Sequence, residues 1–126
     1  MLYSEYIEKN NIPKYNEYRE YYTLNDEQFM ELEEAVKKWL PTHLKNVNYN
    51  TSSSYHIKGQ FEFVLGYYIS NYDLKIVMDK LGYKKGNRPA YESGMNPHYN
   101  ISTKEFKLLE QYAREKHYDY FNKFNK

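Results

Sequence analysis

The chain has 126 residues and a mass of 15.4 kDa, enough for one domain that buries roughly two-thirds of the surface its unfolded form would expose. It contains no cysteine, which excludes disulfide frameworks and thiolate metal sites. Its 17 tyrosines, six phenylalanines and Trp39 supply apolar area that a mean hydropathy of −1.02 undervalues, because a tyrosine ring buries well while its hydroxyl stays wet.

The net charge of +1 excludes a protein coated in basic residues, yet it conceals a split. Residues 1–50 carry six basic and nine acidic side chains, net −3, whereas residues 54–104 carry seven basic and four acidic, net +3. An anionic partner is therefore expected at the second half. The opening MLYSEYIEKNN has neither a basic start nor an apolar run of signal-peptide length, and nowhere do about 18 consecutive apolar residues occur. The expectation is a soluble, cytoplasmic protein with no membrane partner.

In the first 22 residues, Leu2, Tyr6 and Ile7, then Tyr15, Tyr18 and Tyr22, fall at helical spacing with Pro13 between them, which predicts one or two short helices. Asn25 and Gln28 have the spacing of a capping box. Phe29, Leu32, Val36, Trp39 and Leu40 then recur mostly every three or four residues, predicting an amphipathic helix over 26–40 that Pro41 ends. NVNYNT, 46–51, alternates and predicts a short strand followed by a serine-rich turn.

Ser54 is a candidate cap for a helix over 54–65 with Ile57, Phe61, Val64 and Leu65 on one face and Gly66 at its end. Ser70, with Asp73 at the third position, predicts the next helix, 70–81. Its buried stripe is Leu74, Val77, Met78 and Leu81, and Gly82 stops it. Two short strands joined by the turn-rich GNRPAYESGMNP follow, the second being HYNI, and STKE at 102–105 predicts a capping box for a last helix carrying Phe106, Leu109, Ala113 and Tyr120. The fold class expected is α+β, mostly helical, in a single domain over 1–126.

The order over 26–101, together with YYISNYDLKIVMDKLGY and HYNIS, resembles the winged helix-turn-helix, including the modules at the C-termini of phage primases and small proteins of mobile elements. That resemblance implies a winged-helix-like core over 26–101, flanking helices in 1–25 and 102–126, a recognition helix over 70–81 and a wing over 83–101. A recognition helix buries one stripe and turns the other toward the major groove. Asn71, Tyr72 and Lys75 lie off the apolar stripe, and Asn71 can read adenine edges while Lys75 contacts guanine or phosphate. Lys84, Lys85 and Arg88 open the wing, where phosphate contacts fall.

The expected function is a small non-catalytic binding protein of phage or mobile-element type whose partner is nucleic acid, duplex DNA first. The alternative is a protein-binding inhibitor of a host defence protein, similar in kind to anti-CRISPR proteins. Tyr72 and Tyr91 are then the anchors, because tyrosine is enriched where proteins recognise proteins. A homodimer is compatible with either. No catalytic constellation is legible: His43, His56, His98 and His117 have no metal-ligand spacing, no serine sits in a GxSxG elbow, and GYKKGN lacks the glycine spacing and GK[ST] end of a phosphate loop. No cofactor and no metal are expected.

Overall fold

The apolar stripes read from the sequence converge on one core in a computed structural model that describes residues 2–87 and 94–124, those after His117 as backbone only. Five helices and one two-stranded antiparallel sheet are present among the described residues: α1 (Tyr3–Lys9), α2 (Asp26–Trp39), α3 (Ser54–Leu65), α4 (Asn71–Lys80), β1 (Lys85–Gly86), β2 (His98–Tyr99) and α5 (Thr103–Phe124). The chain is thus α+β and mostly helical. Lys85 pairs with Tyr99 and Gly86 with His98.

The capping box expected at Asn25 forms, and the cap expected at Ser70 closes into one as well. The Asn25 side chain accepts from the Gln28 N–H while Gln28 accepts from the Asn25 N–H, and Ser70 and Asp73 do the same for α4. Gly66 and Gly82 sit at φ 84° and 81°, where a side chain is strained, and each ends the helix before it. Phe29, Leu32 and Val36 of α2, Ile57 and Phe61 of α3, Leu74, Val77 and Met78 of α4, and Phe106 and Leu109 of α5 fill the core with Tyr3 and Tyr99.

Four expectations are corrected. Residues 46–51 form no strand: the segment reaches the β2 region through scattered bonds, Leu44 N–H to Asn100, Asn48 N–H to Tyr99 and Ser54 N–H to Pro97, at intervals that build no ladder. Ser53, not Ser54, is the N-cap of α3. Ser54 lies inside with its hydroxyl unpaired. Ser102 does accept from the Glu105 N–H, but the Glu105 carboxylate turns away to Thr42 instead of closing the box.

The fourth is a partial correction: of the one or two short helices expected in the first 22 residues α1 forms, and residues 10–22 are not helical. Asn11 and Arg19 take positive φ of 53° and 62°, the Asn16 side chain accepts from the Tyr18 and Glu20 N–H groups, and Tyr15 bridges Tyr21. The helical spacing of the tyrosines is coincidental; local side-chain bonds to the backbone hold a tight loop instead. This irregular segment lies along α4, and that placement governs the site below.

Candidate functional site

The expected reading face of α4 is covered. Asn71 is 7% exposed and donates through Nδ2 to Glu20 at 2.6 Å, the Met95 carbonyl at 3.1 Å and Asn96 at 2.8 Å. Tyr72 is buried, its hydroxyl donating to the Pro13 carbonyl at 2.9 Å. Lys75 points at the same Glu20, 2.5 Å away, and at the Met95 carbonyl at 2.8 Å. Asp73 beneath them is fully buried and accepts from the Thr23 N–H and hydroxyl, the Leu24 N–H and the Ser70 N–H.

Asn71 and Lys75 are therefore brought together, but toward residues 13–24 and 95–96 rather than toward solvent. Burial pushes the Glu20 carboxyl up. Hydrogen bonds from Asn16, Lys75 and Asn71 and the Lys75 charge outweigh burial and leave its pKa below the ordinary value.

Lys84 and Lys85 are exposed. Lys84 Nζ donates to the Lys45 carbonyl at 2.8 Å, and Lys85 pairs with Asp79 at 3.2 Å. Arg88 and Tyr91 lie outside the described residues. The histidines engage separate neighbours: His43 stacks on Tyr83, His56 faces Glu110, His98 meets the Thr51 carbonyl and His117 packs on Phe63. Among the described residues no group of three or more His, Cys, Asp or Glu side chains could hold a metal ion, and no helix is long and apolar enough to cross a membrane.

The 15–21 loop, the start of α3, the α3–α4 turn and residues 95–96 enclose a cleft of about 600 Å³. Its rim carries Tyr21, Tyr55 and Tyr68, which are 54%, 62% and 64% exposed, with Met95 and Arg19 beside them. Lys58 organises two of the rings: its stem is buried and its ammonium lies 5.0 Å from the Tyr55 ring and 5.1 Å from the Tyr68 ring, anchored to Glu62 at 2.7 Å. The Tyr15 ring lies 5.3 Å from Tyr21.

Arg19 has no ion-pair partner among the described residues and occupies a left-handed φ that glycine or asparagine adopts more easily, at a cost of order 1 kcal/mol or more. A tight turn presents its head at the cleft rather than a residue chosen for the turn. The sequence reading missed this set. Tyr55 lies off the α3 stripe and Tyr68 in the turn after Gly66, and those positions were the available signal.

Comparison with known proteins adds no relative: no family model matches the chain, and no curated protein or solved structure is significantly similar to it.

Proposed function

We propose that this is a non-catalytic binding protein that captures a partner protein through the tyrosine cleft, the blocking-protein alternative of the sequence reading. The observation that carries it is the composition and order of the rim. Tyr21, Tyr55, Tyr68, Met95 and Arg19 are residue types enriched at protein interfaces, and here they are exposed together. Rings held by Lys58 lose little freedom on binding, which favours affinity.

The second reading keeps α2, α3, α4 and the β1–β2 hairpin as a winged-helix-like core that binds duplex DNA. What favours it is the pair of exposed hairpin lysines, Lys84 and Lys85, near Lys45. The burial of Asn71 and Tyr72, with Lys75 half-buried against Glu20, counts against a reading helix, so phosphate contact is the part of this reading that keeps support.

Capture from nuclease-treated lysate tests the two. Tyr55→Ala, Tyr68→Ala and Arg19→Gly are each expected to lose about 2 kcal/mol or more of binding, roughly thirtyfold in Kd, with melting temperatures little changed. Lys84→Ala with Lys85→Ala should leave capture intact. Capture that disappears with nuclease, or with the hairpin lysines and not the tyrosines, would turn the assignment to nucleic acid.

A further inference from the structure

A second surface, away from the cleft, has its own chemistry. Between α2, α3 and α5 runs a groove of about 680 Å³ whose floor is Met30, Trp39, Val64, Leu65 and Tyr112. All five are partly accessible although they pack on the core or on one another, and Trp39 stacks on Tyr112 at 4.7 Å. One wall is Glu27, Glu31 and Glu34, exposed and spaced at i, i+4 and i+7 along one face of α2. Glu34 meets Lys37 at 3.5 Å on an open surface, while Glu27 and Glu31 have no ion-pair partner among the described residues.

Like charges at this spacing repel by a few tenths of a kcal/mol per pair, offset at Glu27 by its place in the first turn of α2 and at Glu31 by the Tyr67 hydroxyl, which donates to it at 3.4 Å. The far end is cationic: Lys38 lies 5.6 Å from the Trp39 ring and Lys116 5.7 Å from the Tyr112 ring.

We propose that this groove docks a basic amphipathic helix of a partner protein. Charge complementarity selects the occupant. An apolar stripe fills the floor between helical walls, lysines or arginines beside it meet Glu27, Glu31 and Glu34, and the negative C-terminal end of its dipole faces Lys38 and Lys116. The α2 wall is 14 residues long, about 21 Å at the helical rise, which matches roughly four turns of a docked helix. An acidic wall repels nucleic acid, so this face serves a protein whichever reading of the cleft holds.

The probe is a synthetic amphipathic helix of leucine and lysine, about 18 residues long, and its charge-inverted counterpart with glutamate for lysine. Trp39, the only tryptophan in the chain, lies in the groove and reports occupancy by its own emission. The lysine peptide is expected to bind and shift that emission, and the glutamate peptide to do neither. The variant Glu27→Gln, Glu31→Gln, Glu34→Gln should weaken the lysine peptide by about tenfold or more while the melting temperature changes little.

A variant that loses equal charge elsewhere, Glu5→Gln, Glu8→Gln, Glu17→Gln, should bind as the wild type does. Equal binding of the two peptides, an unmoved Trp39 emission, or equal loss in the two triple variants would overturn the proposal. So would light scattering that finds a dimer abolished by the Glu27, Glu31 and Glu34 changes, since the occupant would then be a second copy of the chain.

Discussion

α2 and α4 begin with the same device and end in opposite surroundings. Each opens on a reciprocal capping box and carries one apolar stripe into the common core. Glu27, Glu31 and Glu34 of α2 stay in solvent while Glu33 alone is drawn in against Tyr3 and Lys80, whereas the polar face of α4 is covered by residues 13–24 through Asn71, Tyr72, Asp73 and Lys75. A polar face is thus not the same thing as a solvated face: the irregular segment supplies partners for Asn71 Nδ2, Tyr72, Asp73 and Lys75, while the buried Asn71 Oδ1 has no partner among the described residues.

The sharpest break of that comparison is to delete the same cap position from each helix. Asp73→Ala strips the acceptor from four buried or half-buried donors at once, those of Thr23, Leu24 and Ser70, and should cost about 3 to 5 kcal/mol. Gln28→Ala removes the equivalent side chain from an exposed box and should cost about 0.5 to 1 kcal/mol. Chemical denaturation of the two variants measures the difference. Equal losses would mean that the segment over α4 adds nothing to the cap.

The tie between residues 13–24 and α4 also sets an acid limit. Burial pushes the Glu20 carboxyl up, but its hydrogen bonds and Lys75 hold it below the ordinary value of 4.5. Glu33, buried on α2, is lowered in the same way by Lys80, Tyr3 and Lys37. A carboxylate whose folded pKa is depressed contributes stability that is complete above its unfolded pKa and is lost as pH falls through the folded one. Melting temperature should therefore hold from neutral pH to about 5 and drop below it. Glu20→Gln and Glu33→Gln should each start lower at neutral pH and fall less on acidification; parallel acid limbs in wild type and variants would count against both ties.

What was legible follows the range of the forces involved. Helix starts, stops and buried stripes are local, so Asn25, Ser70, Gly66, Gly82, Leu74 and Phe29 revealed α2, α3 and α4 nearly to the residue. Residues 10–24 and 46–51 were misread because their conformation is fixed by partners as distant in sequence as Asp73 for Thr23, or Tyr99 for Asn48. Periodicity carries no information about such bonds. The same blindness assigned Asn71, Tyr72 and Lys75 to a surface and passed over Tyr55 and Tyr68, whose exposure depends on what the 15–21 loop leaves uncovered.

The finest test is a single oxygen. Tyr72→Phe keeps the ring, 6.1 Å from that of Tyr22, and removes only the hydroxyl that donates to Pro13. Burial that raises the Tyr72 pKa is the same burial that makes a lost bond felt, because the Pro13 carbonyl is left without that donor. The expected cost is about 0.5 to 1.5 kcal/mol. Amide exchange of Tyr22, whose N–H is bonded to Lys14 beside Pro13, should quicken with it. Tyr15→Phe changes an exposed hydroxyl on the same segment and should leave stability and exchange alike. If Tyr72→Phe is silent as well, residues 13–24 lift from α4 in solution, Asn71 and Lys75 become accessible, and the DNA-reading role of that helix regains its footing over the tyrosine cleft.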